Sequence, residues 1–182
     1  LTVTSSRFFF LPKNTRSLNE MMKAWIVGTD GKAPVQVIWQ TGKYYEREMQ
    51  AFLAAHPAAH VWQGAFIDRM DYAYAAADLV VSRSGAGTVS ELCLVAKPVL
   101  FVPSPNVAED HQTKNALALV NKQAAIYVKD SEAETTLMDV ALSTVNDEQK
   151  LKELKENIAK LALPDSARII AQEVIKLAEA KS

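Results

Sequence analysis

The chain has 182 residues, of which 49% are hydrophobic, and its formal net charge is −1. This composition suffices for the core of one large domain, or of part of a two-domain protein, and the charge gives no case for nucleic-acid binding. The single cysteine, Cys93, cannot form an internal disulfide, which favours a reducing cytosol; its apolar neighbours predict a core position. No apolar run reaches the ~20 residues of a membrane span, and no signal peptide is apparent.

Apolar runs of strand length alternate with segments of helix length. The predicted strands are 7–10, 35–40, 59–62, 78–81, 98–102 and 124–128. Strict alternation of strands and helices is typical of right-handed crossovers, so we predict an α/β fold with a parallel sheet of about six strands flanked by helices. The predicted helices are 17–27, 44–55, 71–76, 88–96, 110–121, 132–145, 147–161 and 165–180.

The end of the chain is predicted to be helical. Pro164 breaks a surface helix, and Asp165 and Ser166 are suited to cap the next one. That last helix either packs on the sheet or crosses to a neighbouring domain. We therefore divide the chain into a domain at 1–163 and a C-terminal helix at 164–182. The absence of an initial Met leads us to expect a fragment or a processed chain.

The stretch SRSGAGTVSE, residues 82–91, follows an apolar strand and opens a helix. Such a glycine-rich turn can bind phosphate, because backbone N–H groups and the helix dipole point at an anion there. Glu91 lies one turn into the helix, where a carboxylate reaches a sugar hydroxyl. The alternative is a tight turn with a capped helix, in which Ser84 or Thr88 is the N-cap and Glu91 the capping-box acid.

Ligands of open parallel sheets bind at the carboxyl ends of the strands. The loops expected there are 11–15, 41–43, 63–71, the glycine turn and 103–112. Together they offer a phosphate site, an apolar loop for a flat base and a polar loop, which suits a nucleotide-sugar. The motifs of ATP-hydrolysing loops and of dinucleotide folds are absent, and the three histidines have no metal-ligand spacing, so neither a metal nor a cofactor is expected.

Residues 66–116, from FIDRM through SRSGAGTVSE to DHQTKNA, resemble the donor-binding half of the MurG family. MurG enzymes are bacterial glycosyltransferases that add N-acetylglucosamine (GlcNAc) to lipid I, making lipid II for peptidoglycan. The resemblance implies a GT-B fold of two Rossmann-like domains, of which this chain is the C-terminal, UDP-GlcNAc-binding one. It also implies a role in cell-wall biogenesis, cell shape and cell division, at the cytoplasmic face of the inner membrane.

By the same resemblance, the donor site has a base end, a phosphate centre and a sugar end. It implies an inverting, metal-independent displacement at the anomeric carbon, with the general base on the missing N-terminal domain. No catalytic base is therefore named here, and the chain alone is expected to be inactive. The implied contacts are Ile67 and Met70 for uracil; Ser84, Gly85, Ala86, Gly87 and Thr88 for the diphosphate; Glu91 for the ribose; and His111 and Gln112, supported by Asn115, for GlcNAc.

One departure from the family pattern concerns the first loop. Family members carry a glycine-rich loop before an R-T-x-N-E helix start; here Arg16 to Glu20 match the helix start, but residues 10–15 contain no glycine. A loop with Pro12 and bulky side chains does not offer the same close backbone approach. Two alternatives therefore stay open: one half of a split GlcNAc transferase with a membrane-bound partner, and a nucleotide-sugar-binding module without catalysis. A UDP-sugar epimerase is a weaker rival.

Overall fold

The computed structural model describes residues 7–11, 16–107 and 110–179. Within these ranges the chain forms six strands and eight helices. The strands are β1 (Arg7–Leu11), β2 (Val35–Gln40), β3 (Val61–Gly64), β4 (Leu79–Ser82), β5 (Val99–Phe101) and β6 (Ile126–Tyr127). The helices are α1 (Arg16–Gly28), α2 (Glu46–Ala55), α3 (Met70–Ala76), α4 (Ala86–Val95), α5 (His111–Val120), α6 (Ala133–Val145), α7 (Glu148–Ala159) and α8 (Ser166–Glu179).

All the strands pair in parallel, in the order β3-β2-β1-β4-β5-β6. The predicted α/β class, with a six-stranded parallel sheet flanked by helices, is confirmed. The chain winds outwards from β1 to β3, then returns to place β4 against the other side of β1. The strand order therefore reverses between β1 and β4, and the carboxyl ends of those strands border the crevice where such sheets bind ligands.

The sheet is buried on both faces because successive residues of its central strands point to opposite sides. On β1, Phe9 and Leu11 join one apolar cluster with residues of α1, α2 and α6. Phe10 joins the other cluster, with residues of α3, α4 and α5. Helix α7 contributes to both, through Leu151 and Ile158. The continuous apolar runs of the sequence are explained by this double burial.

Helix α8 lies apart from both apolar clusters. Its described side chains are exposed along the whole helix, including Ile170 at 64% and Val174 at 60% of their accessible area. The apolar spacing that predicts an amphipathic helix is therefore present, but its apolar face has no cover within the described chain. The predicted boundary at residue 164 falls in the turn between α7 and α8.

Candidate functional site

Helix α4 begins at the carboxyl edge of the sheet, and three residues separate it from β4. Gly85 is its N-cap, with extended backbone at φ −62° and ψ 147°, and no described side chain caps this end. The interpretation of Ser84 or Thr88 as the N-cap is therefore wrong, and the helix starts at Ala86, two residues before the predicted start. The N–H groups of the first turn lack intrahelical partners and carry the positive end of the helix dipole.

The two glycines of this turn border open space. A Cβ atom built on Gly85 or on Gly87 meets nothing within 4 Å, and neither residue has the positive φ that favours glycine. The fold itself therefore does not demand glycine at these positions. Their effect is to leave the first turn of α4 accessible to a molecule approaching from solvent.

Helix α5 begins beside the first turn of α4 and is fastened to it. The buried Ser84 hydroxyl donates a hydrogen bond to the Gln112 carbonyl (2.7 Å), and the Asn115 amide donates to the Ser84 carbonyl (3.0 Å). The Gln112 side-chain oxygen accepts a bond from the Ser104 backbone N–H (2.9 Å). Two helix N-termini thus converge at one edge, with their spacing set by side chains of the predicted site.

These bonds refine the roles expected of the polar residues. The Ser84 hydroxyl and the Asn115 amide have partners inside the protein, so both residues stabilise the turn between β4 and α4. The Gln112 amide oxygen is also engaged, which leaves its NH₂ group as the side-chain group for a ligand. Glu91 and His111 are exposed at the same edge, and Thr88 is half-buried.

The sequence interpretation missed Arg83, which lies inside the motif and is buried. Its guanidinium donates to the Val102 carbonyl (2.9 Å) and the Pro103 carbonyl (3.2 Å) at the end of β5. It also pairs with the Asp130 carboxylate (2.5 Å) and donates to the Ser17 hydroxyl (2.7 Å). One side chain therefore links the turn after β4 to the loop after β5, to the first turn of α1 and to the 3-10 turn before α6.

A signal for Arg83 was present in the sequence. A charged residue directly after the mostly apolar strand β4, and before a buried serine, has to be paired if the turn packs tightly. Its partner Asp130 lies 47 positions further along the chain, so pattern alone did not identify it.

The loop after β3 lies on the other side of the crevice. Ile67 is buried, and its backbone N–H donates to the Gln40 side-chain oxygen (3.1 Å). Met70 begins α3 and packs against the second apolar cluster. Beside Ile67 lies an apolar recess of about 260 Å³, lined by Ile38, Trp62, Ile67, Arg69, Tyr72 and Ala73.

The first loop, residues 12–15, lies outside the described residues. The matched helix start that follows it is described, and there Asn19 has a structural role. Its buried amide donates to the Thr41 carbonyl (3.2 Å) and accepts a bond from the Trp39 indole (3.0 Å), which fixes the end of β2 against α1.

Cys93 lies within α4 and is only 4% exposed, so its interpretation as a core residue is confirmed. Burial raises the pKa of its thiol, which opposes thiolate formation. Across the described ranges, no cluster of three His, Cys, Asp or Glu side chains is suited to a metal ion. In that same part of the chain, no helix combines the length and apolarity that crossing a membrane requires.

Residues 13–170 match the family model described as Glycosyltransferase family 28 C-terminal domain. The chain belongs to this family. Family membership agrees with the strand order and with the glycine turn at the switch point, and the resemblance to MurG stated from the sequence is confirmed.

Relatives of this family 28 domain include enzymes of known name. The chain is 64% identical over 168 residues to the UDP-N-acetylglucosamine--N-acetylmuramyl-(pentapeptide) pyrophosphoryl-undecaprenol N-acetylglucosamine transferase of Bacteroides thetaiotaomicron, over 92% of this chain and 45% of that relative. It matches the crystal structure of Acinetobacter baumannii MurG with a TM-score of 0.82 at 26% identity, over 95% of this chain and 50% of that one.

A UDP-GlcNAc 2-epimerase from Neisseria meningitidis also matches, with a TM-score of 0.69 over 94% of this chain and 45% of that one. At 11% identity, this match shows a shared fold alone. The chain spans about half the length of the curated relatives it matches, which agrees with the prediction of one half of a GT-B glycosyltransferase.

Proposed function

We propose that this chain is the donor-binding half of a glycosyltransferase, and that UDP-GlcNAc binds at the carboxyl edge of its sheet. In the whole enzyme the GlcNAc residue would pass to lipid I, forming lipid II for peptidoglycan. The name of the 64% identical relative supports this substrate pair. The acceptor and the general base would belong to the other half, so the chain alone binds the donor without transferring its sugar.

The observation that carries the proposal is the open first turn of α4 beside the N-terminus of α5. A diphosphate there would meet backbone N–H groups of residues 86–88 and the positive ends of two helix dipoles. The same groups would stabilise the departing UDP as negative charge develops during an inverting displacement at the anomeric carbon.

The remaining contacts to the donor would lie on the two sides of this phosphate site. Uracil would lie against the loop that holds Ile67 and Met70, where an apolar recess is available. The Glu91 carboxylate would accept hydrogen bonds from the ribose hydroxyls. His111 and the Gln112 NH₂ group would contact the GlcNAc hydroxyls, with Ser84 and Asn115 holding the turn in place.

The proposal extends to membrane and domain contacts of the whole enzyme. Lipid I is a membrane lipid, so the enzyme would work as a peripheral protein at the cytoplasmic face of the inner membrane. The exposed apolar face of α8 would be covered by the other half, which accounts for its position outside both apolar clusters. A non-catalytic nucleotide-sugar module is the second candidate, because residues 10–15 lack the glycines of the family loop.

Calorimetric titration of the chain with UDP-GlcNAc, UDP-glucose and UDP tests the donor site. Replacing Glu91 by Ala removes the expected ribose partner and should weaken UDP-GlcNAc binding by about 1–3 kcal/mol. The matched control is Glu134→Ala, which removes an exposed glutamate on α6 and should leave binding unchanged. A folded chain that binds neither UDP-GlcNAc nor UDP would contradict the proposal.

A further inference from the structure

An open groove lies along helices α4 and α5, on a surface to which the proposed donor site assigns no contact. Its volume is about 480 Å³, which falls within the roughly 300–1,000 Å³ of small-molecule sites. Both helices line it, together with the segment that joins α7 to α8. The apolar residues of the lining are Val89, Cys93, Leu94, Leu119, Leu161 and Leu163.

The groove exposes apolar side chains next to the core. Cys93 and Leu119 are buried members of the second apolar cluster, so the base of the groove is continuous with the core. Leu94 and Leu163, in contrast, are 51% and 71% exposed. A hydrocarbon chain bound here would leave water and would remove these side chains from water, and both changes are favourable.

The charged side chains that line the groove are basic. They belong to Lys122 and Lys160, which are both exposed, and none of the described lining residues is acidic. Lys160 donates to the Asn157 side-chain oxygen (3.0 Å), and among the described residues neither lysine pairs with a carboxylate. Asp165, next to the lining, is already paired with Arg168 (3.2 Å). Two ammonium groups are therefore available to an anion at the edge of an apolar surface.

This combination of apolar surface and positive charge selects among possible ligands. A wholly apolar molecule would leave both ammonium groups without a counter-charge, and a cationic amphiphile would be repelled by them. A small anion without a chain would leave the apolar lining in water. A hydrocarbon chain that ends in a carboxylate is complementary to both parts of the groove.

We propose that the groove is a binding site for a single-chain anionic lipid of the fatty-acid class. The hydrocarbon chain would lie along the apolar lining, and the carboxylate would lie beside the Lys122 and Lys160 ammonium groups. The inference does not rest on the proposed function. The donor phosphates are assigned to the first turns of α4 and α5, whereas Cys93, Leu94 and Leu119 belong to the last turns of those helices.

Displacement of cis-parinarate, a fatty acid that fluoresces when it leaves water, tests the groove in the full 182-residue chain. The competitors are dodecanoate and dodecanol, which share one hydrocarbon chain and differ in the charge of the head group. We expect saturable binding of cis-parinarate, and we expect dodecanoate to displace it at lower concentrations than dodecanol.

Two lysine substitutions test the head-group contact. Lys122→Met combined with Lys160→Met should weaken dodecanoate binding by about 2- to 10-fold, as for the loss of two exposed charge pairs, and leave dodecanol binding unchanged. The matched control is Lys32→Met combined with Lys176→Met, which makes the same change of net charge at exposed lysines that do not line the groove.

A bulky substitution tests the position of the chain. Ala118 is exposed on α5 and lines the groove, so Ala118→Trp fills it from the solvent side without disturbing the core. This variant should lose saturable binding of both competitors. Its matched control is Ala51→Trp, at an exposed alanine on α2, which should bind as the parent chain does.

Several results would overturn the proposal. Binding that survives Ala118→Trp would place the lipid on other exposed apolar surface, such as that of α8. Equal weakening of dodecanoate and dodecanol by the two lysine substitutions, or no weakening of either, would refute the head-group contact. Self-association of the parent chain that Ala118→Trp abolishes would assign the groove to a second copy of the chain. Absence of saturable binding by the folded parent chain would refute the site itself.

Discussion

Two regions of this chain, the carboxyl edge of the sheet and helix α8, differ in which side chains they bury. At the carboxyl edge between β4 and β5, polar side chains are buried and join separate segments of the chain: Arg83 pairs with Asp130, and the Ser84 hydroxyl donates to the Gln112 carbonyl. In α8, the described apolar side chains are exposed and belong to neither core cluster. Both arrangements depart from the usual distribution of residues, since polar groups are mostly outside and a helix usually buries its apolar stripe.

The difference indicates where the free energy of folding is concentrated. A buried polar contact is costly to break, because the partner left behind loses its bond and stays out of water. An exposed apolar side chain contributes little to the stability of the chain that carries it, and its burial is left to a partner. The site edge is therefore set by the domain itself, whereas the apolar face of α8 is exposed, and we propose that the other half of the enzyme covers it. Substitutions in the two regions can test both statements.

The largest effect is expected from Arg83→Met. Removing the guanidinium takes away the cationic partner of the Asp130 carboxylate, which keeps a bond from the Ser17 hydroxyl (3.1 Å), and the donor to two carbonyls. Both charged side chains of the pair are at most 19% exposed. Loss of one member of a buried pair costs about 3–5 kcal/mol, measured as the free energy of unfolding in urea. Arg69→Met is the matched control, since Arg69 pairs with Asp71 where both are more than half exposed. Its expected cost is under about 1 kcal/mol. Equal losses in the two variants would refute a special role for the buried pair.

A smaller effect is expected from Ser84→Ala, which removes the bond from the turn before α4 to α5 without changing charge. The Gln112 carbonyl would lose its buried donor, and the expected loss of stability is about 1–2 kcal/mol. Ser143→Ala removes a hydroxyl that bonds within an exposed turn of α6, and it should cost under about 0.5 kcal/mol. The urea midpoints of the two variants, compared with the parent chain, give the answer. A larger loss of stability in Ser143→Ala than in Ser84→Ala would contradict a stabilising bond from Ser84 to α5.

The elements of the fold were predictable because local patterns determine them. Runs such as Val35 to Gln40 are apolar beyond what a half-exposed strand needs, and the alternation with helices leaves few arrangements other than a parallel sheet. The glycine turn was also predictable, since its spacing after an apolar strand is local. The ends of the elements were less predictable. At the start of α4 the N-cap is Gly85, because the Ser84 hydroxyl donates its hydrogen bond to α5.

The supporting contacts of the site were not predictable in this way. Arg83 and Asp130 meet only because β4 and the turn before α6 reach the same edge of the sheet. Such pairs are determined by tertiary packing, so a single sequence shows which residues are present but not which of them pair. The exposure of α8 belongs to the same class, because an amphipathic pattern does not say which surface will cover it.

The smallest effect is expected at the C-terminal helix, where one substitution type can be made in two environments. Ile170→Ala shortens a side chain that is 64% exposed on α8, and it should change the unfolding free energy by at most about 0.5 kcal/mol. Ile158→Ala makes the same change on α7, where the side chain is 0% exposed, and should cost about 2–5 kcal/mol. A loss above about 1.5 kcal/mol for Ile170→Ala would mean that α8 packs on its own domain in solution. A negligible loss would leave the apolar face of α8 available to the other half of the enzyme, where the same substitution should weaken the contact between the halves.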